Sequence, residues 1–230
     1  MNIEILHYIE GARQARGIAV VVDVFRAFST ACYMKLRGAS RIIAVSSAKQ
    51  AYQLRSEHPE YLLAGERNGI KLPEFDFGNS PSEIMRAELD GTTVVLTTSA
   101  GTKGLVEAAK GADMVLTGSF VNAGATAQWI GMQRPQEVSI ICMGWNGIHP
   151  AREDQLYAEY LKGLLCGSAV DFPAIVNELT HHRSTSSFLD LPDTGDRQQD
   201  LDYCLDLDRC TYPLHLATRG TQMELHPLKK

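Results

Sequence analysis

VVVDVFRAFST, residues 20–30, joins an unbroken apolar run to a polar turn and the start of a helical pattern. A nearly continuous apolar run is typical of a central strand that is covered on both faces. Asp23 closes this strand, and Arg26, Ser29 and Thr30 follow where a helix is expected to begin. The stretch therefore predicts a strand followed by a helix, the repeating unit of an α/β fold.

The polar residues of this turn are also candidates for chemistry. A carboxylate at the end of a strand can hold Mg²⁺, while helix N–H groups, hydroxyls and an arginine can bind phosphate. Asp23 can equally be a cap or turn residue, and Arg26 can equally belong to a surface ion pair. The turn alone leaves both interpretations open.

Similar short runs recur along the chain, each followed by a loop of small residues and a helical pattern. They cover residues 19–23, 41–45, 61–64, 93–97, 114–117 and 138–142. Alternating strands and helices predict an α/β protein, layered α/β/α with mixed sheets. We expect one domain over residues 1–230.

Two longer stretches resemble each other, and both read as strand, polar turn, helix, Gly-Ala and strand. They are VVVDVFRAFSTACYMKLRGASRIIAV (20–45) and VVLTTSAGTKGLVEAAKGADMVLTG (94–118). An internal duplication that gives two related, intertwined halves is one interpretation. The other is that any two βαβ units look alike at this level of detail.

The amino-acid composition argues against several classes of function. The 22 Lys and Arg against 27 Asp and Glu give a net charge of −5, and no basic stripe suggests nucleic-acid binding. The five cysteines show no CxxC spacing, which argues against a zinc site or a disulfide framework. With neither a signal-like N-terminus nor a membrane-length apolar run, we expect a cytoplasmic protein without a membrane partner.

Further polar residues follow the other predicted strands, where ligands usually bind in α/β sheets. The candidates are Glu66, Arg67 and Asn79 in residues 62–84, Thr98, Ser99, Gly101 and Thr102 in residues 97–104, and Ser119 and Asn122 in residues 118–123. Helix capping explains each hydroxyl equally well. Glu153 and Asp154 lie in the first turn of another predicted helix, where a favourable helix dipole also explains them.

Two helix starts and the tail complete the prediction. Ser80 precedes Pro81 and lies three residues before Glu83, a capping pattern. Asn122 is expected to cap a helix that runs through Trp129. The less regular tail after Cys166 is expected to dock through its apolar residues, namely Phe188, Leu189, Leu191, Leu201, Tyr203, Leu205 and Leu207.

Six motifs, taken in order, resemble the 2-phosphosulfolactate phosphatase family over about residues 20–165. They are VVVDVFRAFSTA, LLAGERNG, FDFGNSP, VVLTTSAGT, GSFVNA and GxxGxxxxxED. The C-terminal third is similar only in sparse features. The resemblance implies a Mg²⁺-dependent hydrolase that converts 2-phospho-3-sulfolactate to sulfolactate and phosphate on the route to coenzyme M. Its implied partner is a small phosphorylated hydroxy acid, and a homodimer stays an open alternative.

The resemblance also implies roles for individual residues. Asp23 and Glu66 become the first candidates for metal ligands, with Asp154 as a third. Asp23, Arg26, Glu66 and Arg67 become candidates for catalysis. The candidates for holding the anionic groups of the substrate are Ser29, Thr30, Asn79, Thr98, Ser99, Gly101, Thr102, Ser119 and Asn122.

Other protein classes have to be considered, and some residues depart from the pattern of the family. A haloacid-dehalogenase phosphatase needs a second Asp where Phe25 stands, and a dinucleotide-binding oxidoreductase needs a GxGxxG turn that is missing. Bulky Phe25, Phe28 and Trp145, and the IHPAR segment before Glu153, leave the substrate open. A noncatalytic binder of a small phosphorylated or anionic metabolite is the remaining alternative, although it gains nothing from carboxylates that face its ligand.

Overall fold

Strands and helices alternate through most of the chain. The computed structural model describes residues 1–190 and 196–228, and only the backbone of Ser187. The strands are β1 (Asn2–His7), β2 (Ile18–Val22), β3 (Arg41–Ala44), β4 (Leu62–Arg67), β5 (Ile70–Lys71), β6 (Thr93–Thr97), β7 (Met114–Gly118), β8 (Glu137–Cys142), β9 (Leu214–Arg219) and β10 (Gln222–Pro227). All six strands expected from the sequence are present, with ends that differ by at most three residues.

The helices lie mostly between consecutive strands. They are α1 (Tyr8–Gln14), α2 (Ala27–Leu36), α3 (Ala48–Glu57), α4 (Pro81–Arg86), α5 (Gly101–Ala108), α6 (Ala123–Gln133), α7 (Arg152–Leu165), α8 (Phe172–His181), α9 (Arg183–Leu189) and α10 (Arg197–Cys204), with a short 3-10 helix at Phe120–Asn122. Ser80 caps α4 as expected, because its hydroxyl accepts the N–H of Glu83 at 3.2 Å. Asn122 occupies the cap position of α6, but its side chain makes no capping bond.

The described strands form one mixed sheet in the order β1-β8-β2-β7-β9-β10-β3-β6-β4-β5. Two parallel blocks make up most of it. We call the strands β1, β8, β2 and β7 the first block, and β3, β6 and β4 the second block. The antiparallel hairpin β9–β10 lies between the blocks. Helices lie on both faces of the sheet, so the layered α/β/α prediction is confirmed.

The hairpin joins the two blocks by narrow seams. One registered antiparallel pair, Leu116 with His215, links β7 to β9, and another, Glu224 with Ile43, links β10 to β3. In a flat sheet these antiparallel pairings would place the carboxyl ends of the two blocks at opposite edges. The ends of β2 and β6 nevertheless meet, since the Gly101 N–H donates to Asp23 at 3.0 Å. The second block is therefore strongly rotated relative to the first across the hairpin.

Helices α2 and α5 pack in one core cluster with strands of both blocks and cross between the blocks. Helix α2 leads from the first block to the second, and α5 leads back. Residues 27–34 of α2 are all buried, as expected of a helix whose small and apolar residues cover every side. The two crossings make the halves of the chain intertwined. Their origin by duplication stays a prediction.

The outer faces and the tail complete the packing. Helices α6, α7 and α8 cover the first block, and α3 covers the second. The tail docks as expected through buried Phe188 and Leu201 and partly buried Leu205 and Leu207, while Leu191 lies outside the described residues. None of the helices in the described ranges has both the length and the apolar character needed to cross a bilayer.

Candidate functional site

A polar cleft opens where the carboxyl ends of β2, β4, β6 and β8 meet. It is lined by Asp23, Phe25, Arg26, Glu66, Gly69, Asn79, Ser99, Ala100, Gly144, Trp145, Asn146, Ala151, Glu153, Asp154, Phe188 and Arg197. We call this the inner cleft, and its volume is about 50 Å³. Five of the six motifs singled out in the sequence, from both blocks, therefore meet at one place.

Asp23 joins the two blocks. Its Oδ1 accepts the N–H of Ala27 at 3.1 Å, and its Oδ2 accepts the N–H of Gly101 at 3.0 Å. Burial raises the pKa of Asp23 to about 6, and the charge of Glu66 raises it further, while the two backbone hydrogen bonds and Arg26 oppose the shift. The carboxyl group is therefore held by donors yet still costly to ionise.

Glu66 fixes the turns that follow β4 and β6. Its Oε1 accepts the Ser99 N–H at 2.6 Å, and its Oε2 accepts the Ser99 hydroxyl at 2.8 Å and the Gly69 N–H at 2.7 Å. These bonds engage both carboxylate oxygens and shape the wall of the inner cleft.

Asp154 and Glu153 enter the cleft from the first turn of α7. Asp154 accepts the N–H of Val24 at 3.0 Å and that of Gly144 at 2.8 Å, so both of its oxygens are used. Burial, with the charges of Glu153 and Asp23, raises the pKa of Asp154 well above its usual range. Asp154 therefore ties α7 to the turns after β2 and β8.

Among the carboxyl groups that line the inner cleft, Glu153 differs from the others in its hydrogen bonding. Among the described residues no hydrogen-bond partner reaches its buried Oε2. Burial raises the pKa of Glu153 to about 7, and the charge of Asp23 adds to the rise, while the Ser184 side chain lowers it by hydrogen bonding. In the sequence, the helix dipole is enough to explain Glu153. The open Oε2 is a feature of the candidate site that the sequence does not reveal.

Two guanidinium groups supply positive charge. Arg26 is only 2% exposed, and its Nη1 donates to Asp200 Oδ2 at 2.5 Å. Arg197 donates from Nη2 to the carbonyl of Gly69 at 2.8 Å. Their Cζ atoms lie 5.3 and 5.0 Å from the centre of the Phe188 ring. Arg26 is thus buried rather than part of a surface ion pair, and Arg197 was not foreseen because α10 carries no local signal for it.

Asp200 orients Arg26 within a buried network. Its Oδ1 accepts the Ser80 hydroxyl and the Ser82 N–H, both at 2.8 Å. Asn79, which precedes these serines, lines the inner cleft, and its buried Oδ1 has no partner among the described residues. The FGNSPS segment therefore both positions an arginine and presents an acceptor.

Several predicted binding residues have structural roles instead. Thr98 and Thr102 cap each other, since each backbone N–H donates to the hydroxyl of the other at 3.0 and 3.1 Å. Gly101 touches Asp23 but does not line the cleft. These residues shape the turn, which is the capping alternative left open by the sequence.

Three further candidates of the first two motifs also point elsewhere. The Ser29 hydroxyl donates to the Val24 carbonyl at 2.9 Å, and buried Thr30 does not line the cleft. Arg67 donates to the Glu66 carbonyl at 2.6 Å and to the Thr97 hydroxyl at 2.9 Å. Arg67 therefore links β4 to β6 and lies outside the cleft lining.

The GSFVNA motif does not converge with the others. Ser119 and Asn122 are fully buried, and the Ser119 hydroxyl donates to Asn122 Oδ1 at 3.4 Å. The backbone at Gly118 does contact Asp23, whose N–H donates to the Gly118 carbonyl at 3.3 Å. Ser119 and Asn122, candidates for holding the substrate, therefore turn into the core and do not line the inner cleft.

The carboxyl groups of the cleft are chemically suited to bind a hard divalent cation. Asp23 is partly buried and Glu153 is buried, both have raised pKa values, and a nearby positive charge would stabilise the ionised form of each. In the described ranges no three His, Cys, Asp or Glu side chains are grouped closely enough to hold a metal. Asp23, Glu66 and Asp154 thus do not form a three-ligand cage. The arrangement suits Mg²⁺, which is commonly held by one or two carboxylates, water and substrate phosphate.

Comparisons with known proteins identify the family of the chain. The family model for 2-phosphosulpholactate phosphatase matches residues 5–213. A probable 2-phosphosulfolactate phosphatase from Thermoplasma acidophilum is 35% identical over 191 residues, 83% of this chain and 82% of that protein. One from Prochlorococcus marinus is 32% identical over 83% of this chain and 85% of the relative, and one from Carboxydothermus hydrogenoformans is 44% identical over 56% and 54%. The chain belongs to the 2-phosphosulpholactate phosphatase family.

Proposed function

We propose that the protein is a Mg²⁺-dependent phosphoric monoester hydrolase that converts 2-phosphosulfolactate to sulfolactate and phosphate. The names of its relatives support this substrate, and the reaction would serve the route to coenzyme M. One observation carries the proposal. The open oxygen of Glu153 lies in the same small cleft as Asp23 and two guanidinium groups.

The positively charged and negatively charged groups of this cleft have different roles. Arg26 and Arg197 bind the anionic oxygens of the substrate, and Asp200 keeps Arg26 in place. Asp23 and Glu153 would hold Mg²⁺, which supplies charge neutralisation on the phosphoryl oxygens when it is bound. Charge that develops on phosphorus oxygens is thereby met by groups already fixed in position.

The attacking water needs an orienting acceptor. Asn79 Oδ1 is buried, lacks a described partner and faces the cleft, so it is placed to accept a hydrogen bond from that water. Water adds to phosphorus, the bond from phosphorus to the ester oxygen breaks, and the leaving oxygen takes up one of the two protons that the water brings. Phe25, Trp145 and Phe188 provide the aromatic part of the cleft wall.

A noncatalytic binder of phosphorylated metabolites would use the arginines alone. It would gain nothing from two carboxyl groups that are costly to ionise beside an anionic ligand. Binding of the ester without phosphate release would support that alternative.

The decisive test is phosphate release from 2-phosphosulfolactate with Mg²⁺ and after treatment with EDTA. We expect Glu153→Gln and Asp23→Asn to lower kcat/KM by about 100-fold or more, because each removes charge from the cleft. Glu224→Gln is the matched control, since Glu224 is equally buried but pairs with Arg41 in the hairpin region. Full activity in EDTA, or in both cleft variants, would overturn the proposal.

A further inference from the structure

A second, larger cavity opens from the inner cleft. Its volume is about 720 Å³, and it shares Phe25, Trp145, Ala151, Glu153 and Phe188 with the cleft. We call it the outer cavity. Because the walls are shared, a molecule whose phosphate lies beside Glu153 can extend into the outer cavity without leaving the site.

The inner walls of the outer cavity are aromatic. The Phe25 and Phe188 rings lie 5.3 Å apart, and Trp145 provides another wall with 38% of its surface exposed. The far end is more polar and contains His149, His182 and Arg183. Such a surface suits an apolar, ring-sized group better than a second compact anion.

The loop that carries Trp145 is built to hold this wall in place. The Trp145 N–H donates to the His149 carbonyl at 2.9 Å, and the His149 N–H donates back at 3.1 Å. Asn146 donates to Asn68 at 2.9 Å and anchors the loop to the turn after β4. Gly144 has φ of +64°, and a Cβ there would lie 2.0 Å from the His149 carbonyl oxygen. The cavity is therefore preformed rather than created by a ligand.

A short-chain phosphorylated hydroxy acid is too small to fill the inner cleft and the outer cavity together. Much of the outer cavity would then stay filled with water against exposed aromatic surface. Displacing that water with an apolar group is favourable in proportion to the apolar area that is covered.

We infer that the outer cavity is a specificity subsite for phosphate monoesters of 2-hydroxy acids that carry a bulky apolar group, preferably an aromatic ring. The inference rests on the proposed phosphatase function and deepens it, because it concerns the substituent on carbon 3 of the same substrate class. The phosphate binds in the inner cleft, and the ring packs against Phe25, Trp145 and Phe188.

The test compares 2-phospholactate with 2-phospho-3-phenyllactate, which differ only by a phenyl group and have similar leaving oxygens. We expect kcat/KM to be at least about tenfold higher for the phenyl ester, mainly through a lower KM. His149→Trp, which places bulk in the outer cavity, should bring the ratio of the two kcat/KM values close to one. Ile148→Trp is the matched control, because Ile148 is 64% exposed and does not line the cavity. This control should keep the ratio.

A parallel calorimetric titration of both esters tests the subsite separately from the phosphatase function. If neither ester is hydrolysed but the phenyl ester binds at least about tenfold more tightly, the subsite is right and the phosphatase proposal is wrong. If both esters are hydrolysed and the phenyl group brings no gain, the phosphatase proposal holds and the subsite is wrong. Equal loss of the preference in His149→Trp and Ile148→Trp would also overturn the subsite.

Discussion

The backbone N–H of Gly101 donates to Asp23 Oδ2 at 3.0 Å, although 78 positions of sequence separate the two residues. A Cβ at position 101 would lie 2.7 Å from that oxygen and 3.0 Å from the Cβ of Ala27. The absence of a side chain at Gly101 is therefore what allows the second block to approach the Asp23 carboxylate.

We expect Gly101→Ala to displace Asp23 and lower kcat/KM by about 100-fold, the effect of roughly 1 Å of misplacement in a catalytic site. Gly131→Ala in α6 is the control, since no atom lies within 4 Å of a Cβ built there. The control should keep its activity and gain about 0.5–1 kcal/mol of stability, because alanine favours the helix. Steady-state kinetics and urea unfolding of both variants decide the matter. Unchanged kinetics in Gly101→Ala would contradict the proposed role of Asp23.

The buried pair of Arg26 and Asp200 gives a second prediction. Asp200→Ala removes a fully buried carboxylate that holds Arg26 at 2.5 Å, and we expect a loss of about 3–5 kcal/mol of unfolding free energy. Glu88→Ala is the matched control, because the Glu88 side chain is 91% exposed in its pair with Arg37. Such surface pairs contribute about 1 kcal/mol or less. Similar losses in the two variants, measured by urea unfolding, would show that the buried network is dispensable.

Stability should depend on pH when divalent cations are absent. The folded protein raises the pKa of Asp23 to about 6 and that of Glu153 to about 7, whereas both are near 4 in an unfolded chain. The folded state thus holds these protons more tightly, so their contribution is complete below about pH 4 and is lost as pH rises through 6 and 7. Each shift corresponds to a few kcal/mol, on the order of 3.

Urea unfolding in EDTA between pH 5 and 8 measures this dependence. We expect unfolding free energy to fall as pH rises, and the slope to be smaller in Glu153→Gln, which has no proton to lose at that position. Excess Mg²⁺ should restore stability at pH 8 if the two carboxylates hold the ion. Greater stability of the metal-free protein at pH 8 than at pH 5 would argue against the assigned pKa shifts.

The cysteines should be dispensable for chemistry. Cys166 is exposed, whereas Cys32, Cys142, Cys204 and Cys210 are buried. Burial raises the pKa of Cys142 and Cys204, and a buried thiol of raised pKa reacts slowly. Mild iodoacetamide treatment should therefore label Cys166 alone, as read by peptide mass spectrometry, and leave activity unchanged. Inactivation that coincides with single labelling would contradict this prediction.

The central strands were predictable because their signal is local. Continuous apolar runs such as Val20–Val22 lie deep in the sheet, as the pattern indicated. β1 was missed because NIEILH alternates with exposed residues at a sheet edge, and β9 and β10 were missed because LHLATR and QMELHP mix polar and apolar residues. Their place depends on pairing with distant strands, which no local pattern reports.

The sequence predicted which motifs form the site better than it predicted where each side chain points. The strand-end rule located Asp23, Glu66 and Ser99, but it cannot tell which way a side chain turns after the strand, so Ser119 was misplaced. Glu153 and Asp154 look alike in sequence. Only the fold shows that backbone donors engage both oxygens of Asp154 and leave Glu153 Oε2 open.

Because the seams beside the hairpin are narrow, ligand binding is coupled to the docking of the two blocks. Asp23 and Glu153 belong to the first block and Glu66 and Ser99 to the second, so the cleft exists only while the blocks are docked. A ligand that touches both sides binds only that docked state and stabilises it by RT ln(1 + [L]/Kd). Amide hydrogen exchange at Leu116 and His215 should consequently slow with ligand occupancy, while exchange within β2 and β8 changes little.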